Sequence, residues 1–165
     1  MRVLVISDTH IPIASDSLPS LIKEEAKKSD CCIHTGDFIN LKVFKEISDL
    51  TVVYAVSGNM DTPEVRKELP HKLIVELEEI KLGIIHGRGA PSNLIHYINK
   101  EFSDVFKDID IFVFGHSHYP FNKNIEGKIY FNPGSPTDKM FTPYLSYGIL
   151  EIKEKEIKRR IIKIE

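Results

Sequence analysis

The sequence predicts an α/β fold, and three features carry that prediction. Apolar runs of strand length recur along the first two thirds of the chain, beginning with Arg2 to Ile6. Segments with apolar residues at helical spacing separate them. Five of the runs stop abruptly at a short polar group, four times with a glycine beside it (Gly36, Gly58, Gly87, Gly115). At 165 residues the chain is read as one domain, residues 1–165, large enough to bury a core without staples.

Taken in order, Arg2 to Ile6 is a buried strand ending in Ser7-Asp8-Thr9-His10. Leu18 to Lys28 follows as a helix, with Leu21, Ile22 and Ala26 on one face. Cys31 to Ile33 is a short strand running into His34-Thr35-Gly36-Asp37, and Leu41 to Ser48 is a helix with Val43, Phe44 and Ile47 inward. Val52 to Val56 is a strand ending in Ser57-Gly58-Asn59-Met60-Asp61. Thr62-Pro63-Glu64 opens a helix with proline just inside it. A hairpin pairs His71 to Leu77 with Ile80 to Ile85, and its second arm ends in His86-Gly87-Arg88-Gly89. Pro91 to Lys100 is a helix, continued around Ser103 to Lys107. Ile111 to Phe114, apolar throughout, suits a strand buried on both faces and ends in Gly115-His116-Ser117-His118. Two late hairpins complete the chain: Phe121 to Ile125 with Lys128 to Asn132, and Leu145 to Ile152 with Glu156 to Ile164.

Composition narrows the function classes. The chain is 42% apolar and 28% charged, as soluble globular proteins are, and 22 basic against 24 acidic side chains leave a net charge of −2. That balance offers no global attraction to nucleic acid or an anionic membrane. No apolar run reaches the length of a bilayer span, and the chain opens straight into a strand rather than a leader. Cys31 and Cys32 are adjacent and lie in an apolar run, so they are read as reduced core thiols of a cytoplasmic protein.

The five strand ends carry Asp8 and His10, Asp37, Asn59, His86, and His116 with His118. In α/β sheets ligands gather beyond the carboxyl ends of strands. Seven oxygen and nitrogen donors exceed one tetrahedral ion and suit two ions sharing a bridging carboxylate. Without thiolates, the set favours manganese, iron, zinc, cobalt or nickel over calcium. Two divalent ions against two carboxylates give a site of about +2 charge, which attracts a phosphate oxyanion and acidifies bound water.

Asp8-x-His10, Gly36-Asp37, Gly58-Asn59-x-Asp61, His86-Gly87 and Gly115-His116-x-His118 resemble the calcineurin-like metallophosphoesterase superfamily, motif for motif and in order. The resemblance spans nearly the whole chain. Its length and Asn132-Pro133-Gly134-Ser135 point to the small prokaryotic phosphodiesterase branch. The resemblance implies an α/β two-sheet β-sandwich flanked by helices. It implies that Asp8, His10, Asp37 and His118 hold one metal, and that Asp37, Asn59, His86 and His116 hold the other, with Asp37 bridging. The ions it implies are two divalent metals, manganese first, with nickel, zinc, iron or cobalt as alternatives. Asp37, Asn59 and His116 take the catalytic roles. The activity implied is hydrolysis of a small phosphodiester by a metal-bridging hydroxide attacking phosphorus in line.

One position departs from the pattern. Many family members have histidine after the asparagine, where it protonates the leaving oxygen, whereas this chain has Met60, which has no proton to give. Diesters with good leaving groups are therefore the expected substrates. The opening Asp8-Thr9-His10-Ile11-Pro12 is also similar to the small subunit of the retromer coat, a scaffold of the same fold, and this is the alternative function. A nucleic-acid polymer ranks third, since no basic stripe with interleaved aromatics is present.

Remaining residues carry paired readings. Asp61 either orients a site loop or caps the helix at Pro63. Arg88 either reaches a substrate phosphate or lies on the surface. His34, close to Asp37, is read as a support behind the ligands or a core residue rather than a ligand, and His71 and His96 as structural residues without partners. Ser135 is a candidate for lining the site, and Asn132-Pro133-Gly134 a strand-ending turn. Phe141-Thr142-Pro143-Tyr144 is either an apolar contact of a homo-oligomer or a loop packed on its own domain.

Overall fold

The parity of apolar residues along each central strand assigns one side chain to each of two cores. In the computed structural model, which describes residues 1–165, the chain runs β1 (Arg2–Ile6), α1 (Ser20–Lys27), β2 (Cys31–His34), α2 (Lys42–Ser48), β3 (Val52–Ala55) and α3 (Pro63–Glu68). It continues with β4 (Lys72–Leu77), β5 (Ile80–Ile85), α4 (Leu94–Glu101), β6 (Ile111–Val113), β7 (Phe121–Ile125), β8 (Lys128–Asn132), β9 (Ser146–Lys153) and β10 (Glu156–Lys163). Two five-stranded sheets result, ordered β10-β9-β1-β2-β3 and β4-β5-β6-β8-β7. Both are mixed. β1, β2 and β3 lie parallel in the first sheet, and β5, β6 and β8 in the second, with antiparallel strands outside them.

Between the sheets, Val3, Val5, Cys31 and Ile33 meet Leu82, Ile84, Ile111 and Val113. The alternate residues face outward. Leu4, Ile6 and Cys32 pack under Ile22 and Ala26 of α1 and Val43 and Ile47 of α2. Phe112 and Phe114 pack with Leu94 and Ile98 of α4. The arrangement is helix, sheet, sheet, helix, the two-sheet α/β sandwich that the sequence implies. Cys31 and Cys32 are free and point into different cores, as neighbours on a strand must. Burial pushes the Cys31 thiol up to about 11 and Cys32 higher still, so neither is a ready nucleophile.

The expected helix from Pro91 divides into a 3₁₀ turn at Pro91–Asn93 followed by α4, and it does not continue through 103–107. Phe102 leaves helical geometry at φ −107° and ψ 17°. Ser103, Asp104 and β-branched Val105 beyond it are all residue types of low helix propensity. A 3₁₀ turn at Phe106–Asp108 is what forms instead. On β10 Lys158 and Arg160 share a solvated face, where Arg160 pairs with Glu151 across the strands at 3.3 Å, while Arg159 is half-buried on the other face. No helix is long and apolar enough to cross a membrane.

Phe112 is fully buried and its ring stacks with Phe106 and Tyr130. Phe112→Ala should cost about 3–5 kcal/mol in a urea unfolding experiment. A loss below about 1 kcal/mol would mean that this core collapses around the gap.

Candidate metal centre

Parallel pairing puts the carboxyl ends of β1, β2 and β3 along one edge of the first sheet, and those of β5 and β6 along one edge of the second. Pairing extends past the strands into the loops: Asp8 N donates to Gly36 O at 3.0 Å, His10 N to Asp37 O at 2.9 Å, and Gly115 N to His86 O at 3.0 Å. The two edges then meet. His86 Nδ1 donates to Thr35 O at 2.8 Å, and His116 N donates to the Asp8 carboxylate at 3.1 Å. Contact is so close at Gly115 that an added Cβ would stand 1.9 Å from Ser7 Oγ. At Gly58 it would stand 2.1 Å from Asp37 Oδ1.

Asp8, His10, Asp37 and His118, all buried, each offer one ligand atom, and these atoms lie within 4.8 Å of one another. A second set surrounds the other side of Asp37. His86 Nε2 is 3.2 Å from Asp37 Oδ2 and 3.0 Å from Asn59 Oδ1, and His116 Nδ1 is 2.8 Å from the same amide oxygen. Asp37 Oδ2 lies between the sets, 3.5 Å from His10 Nε2 on its other side. All seven residues singled out in the sequence are brought together.

Ring orientation shows what the site is built to accept. Carbonyl oxygens take the outward nitrogens, Thr35 O that of His86 and Gly89 O that of His116 at 2.9 Å. The lone pair of His116 Nδ1 therefore faces the Asn59 oxygen, acceptor against acceptor, while His86 Nε2 points at Asp37 Oδ2 and the same amide oxygen. His10 Nε2 and His118 Nε2 also face each other, at 3.3 Å. A cation between such groups relieves the repulsion, and the residues fit a divalent metal on that ground. Burial opposes charge on His86, but the hydrogen bond it donates to Asp37 and the charges of Asp8 and Asp37 outweigh it and raise its pKa to about 9. Burial likewise opposes charge on Asp37, and His86 and the Met60 N–H outweigh it, lowering its pKa. Each carboxylate thus draws positive charge into the site. Five of the seven residues, Asp8, His10, Asp37, His116 and His118, hold positive φ, a strain of about 1–3 kcal/mol each that only tight surroundings sustain.

Those surroundings include residues the sequence left ambiguous. Asp61 is a loop-orienting residue and not a helix cap. Its carboxylate accepts the N–H groups of Asp37 at 3.1 Å, Ile39 at 2.7 Å and Gly58 at 2.7 Å, while Thr62 holds the N-cap position of α3. Ser135 does not line the site. It is fully buried and donates to Asp8 O at 2.8 Å, just as Thr137 donates to Thr9 O at 2.7 Å. Asn132 does more than end a strand: its amide donates to Gly115 O at 2.9 Å and Ser117 Oγ at 3.1 Å. Asp138 was not read from the sequence at all. Its Oδ2 stands 2.9 Å from His118 Nδ1, close although off the axis of a regular hydrogen bond, and that nitrogen has no other partner.

His34 is core: fully buried, stacked on Phe38 and 3.1 Å from Thr9 Oγ1, with burial first and then His86 keeping it neutral. His71 does have partners, Tyr97 Oη at 3.2 Å and Glu101 at 3.5 Å. Arg88 is exposed and lines, with Arg66, His71 and the donors Asn59 and His86, a polar pocket of about 330 Å³ that adjoins the site. Five of the seven donors, His10, Asp37, Asn59, His116 and His118, floor a cleft of about 830 Å³.

A sandwich with such donors at the strand ends defines a metallophosphoesterase-like fold. The chain belongs to the calcineurin-like phosphoesterase superfamily, whose domain profile matches residues 1–155. It is 35% identical over 170 residues to a probable metallophosphoesterase of Methanocaldococcus jannaschii, covering 100% of this chain and 82% of that protein. A phosphodiesterase of the same organism is 26% identical over 178 residues, covering 98% and 99%. A Thermotoga maritima protein solved in solution by NMR shares 32% identity at a TM-score of 0.78, covering 99% of both chains. Vacuolar protein sorting 29 of Cryptosporidium parvum, at 24% identity, shares the fold with a TM-score of 0.74 over 99% and 97%.

Asp61→Ala strips three backbone N–H groups of their acceptor. The expected loss is about 3 kcal/mol or more of stability and about 10–100-fold in divalent-metal affinity. Urea unfolding and titration calorimetry measure the two, and an unchanged affinity in a folded variant would refute the orienting role.

Proposed function

We propose that residues 1–165 form one cytoplasmic metallophosphoesterase domain that hydrolyses a small phosphodiester with two divalent metal ions. The observation that carries this reading is the position of Asp37 Oδ2 between two converging donor sets. Asp8, His10, Asp37 and His118 would hold one ion, and Asp37, Asn59, His86 and His116 the other. When bound, the two ions supply an acidified water for the attack on phosphorus and positive charge for the phosphate oxygens. Manganese is the first choice, since these donors suit it as they do nickel, zinc, iron and cobalt. The probable metallophosphoesterase and the phosphodiesterase among its relatives support the reaction class.

The chain's own groups set the rest. Asp37, Asn59 and His116 line the cleft where the phosphate would lie, and Asn59 is a neutral donor that leaves the site's positive charge undiminished. Met60 is exposed on the same cleft and gives the leaving oxygen no proton. General-acid help is worth roughly 10²–10⁴-fold, so alkoxide leaving groups should depart slowly and acidic alcohols well. The fold shared with vacuolar protein sorting 29 and the apolar rim of the cleft suit the scaffold reading. Against it, a relict site has no need of seven competent donors, five of them held in strained conformations.

The direct test is hydrolysis of a chromogenic phosphodiester and its monoester, metal-free and with manganese, nickel, zinc or magnesium added. Metal-dependent cleavage of the diester is expected, and Asp37→Ala should abolish it. No turnover by protein shown to hold two ions would favour the scaffold. Met60→His should raise kcat for alkyl-leaving diesters by roughly 10²-fold and change aryl-leaving ones little. Equal gains on both would refute the missing-acid account.

A further inference from the structure

Ten large apolar side chains are exposed on this protein, and five of them, Ile13, Met60, Tyr119, Met140 and Phe141, line the cleft floored by five of the metal-site donors. Singly exposed apolar residues are ordinary, but half of the total around one cavity is not scatter. Met140 is 81% exposed and Phe141 61%, so neither is serving the core.

The wall is also held in place. Asp138, the buried carboxylate beside His118, accepts the backbone N–H groups of Met140 at 2.8 Å and Phe141 at 3.3 Å through its other oxygen. The Phe141 ring stands edge-on to the His118 imidazole, with centroids 5.8 Å apart and planes at 88°. One side chain thereby fixes the apolar loop relative to the donors. Lys139 is the only lysine or arginine on the cleft, while Arg66 and Arg88 line the adjoining polar pocket, which shares only Asn59 with the cleft. A polyanion would find little to follow here. A volume of about 830 Å³ falls within the range of small-molecule sites, which pair apolar walls with a few polar groups.

We propose that this wall is a substrate subsite for an aromatic ring carried on one ester arm of the phosphodiester, whose phosphate lies over the donors. The inference rests on the phosphodiesterase reading for its position and adds the chemical class of the ester group. It also accounts for Met60. A phenol-like alcohol leaves without a proton donor, and the methionine that withholds the proton supplies apolar surface to the ring.

The test is binding, not turnover. Manganese-loaded protein would be titrated by calorimetry with methylphosphonate, phenylphosphonate and adenosine 5′-monophosphate, none of which is a diester. A ring-bearing ligand should bind about tenfold or more tighter than methylphosphonate, as burial of a phenyl face predicts. The tighter of the two ring ligands identifies the source, aryl group or nucleobase. In the doubly substituted M140A/F141A protein the preference should fall to about twofold or less, and Ile13→Gln, another lining residue of the cleft, should reduce it independently. Equal affinity for methyl and ring ligands, or a preference unmoved by both variants, would overturn the subsite and leave the phosphodiesterase reading standing. Failure of every ligand to bind protein shown to hold metal would overturn both. Self-association of the wild-type chain that M140A/F141A abolishes, without any ring preference, would assign the wall to a second copy of the chain instead.

Discussion

The approach of the β6 exit loop to the exit of β1 is the constraint on which the rest of the structure depends. Gly115 lies where no side chain fits, against Ser7 Oγ, and from there the backbone N–H of His116 reaches the Asp8 carboxylate. Without that contact His116 and His118 would belong to one sheet and Asp8, Asp37 and Asn59 to another. The inter-sheet core makes the contact possible. Val3, Val5, Ile111 and Val113 interdigitate directly below, so their packing distance sets how near the two strand exits come.

Much of the site was legible because its donors sit immediately after strands. An apolar run followed by glycine and a donor is a local pattern, and Gly36-Asp37 or Gly115-His116 displays it within a few residues. The sandwich was legible through resemblance, and the helix-strand alternation agreed with it. What could not be read were the supports, whose partners are far away in sequence. Asp61 bonds to Ile39, 22 residues back, and Ser135 to Asp8, 127 residues back. Nothing adjacent to Ser135 announces such a partner, so a Pro-Gly-Ser turn reads as a turn. Asp138 was missed for the same reason: its meaning comes from His118 and from the loop it caps, and neither is visible in its neighbours.

Asn132, Ser135, Thr137 and Asp138 form a continuous splint behind the site. One segment of chain fastens Gly115, Asp8, Thr9 and His118 in turn. Positive φ at the donors is then understandable. Each left-handed residue is costly alone, but every one of those loops is tied at two or more points to a buried neighbour. The same splint ends in Met140 and Phe141, so the donor floor and the apolar wall of the cleft form one mechanical unit.

Donors drawn from both sheets have a consequence for unfolding. A ligand that touches Asp8 and Asp37 on one side and His86 and His118 on the other must dissociate before the sheets can part. Occupancy then subtracts from the open population in proportion to ligand concentration over its dissociation constant. Resistance to proteolysis would in that case follow the supply of metal in the surroundings, making the lifetime of the chain a readout of its ion environment.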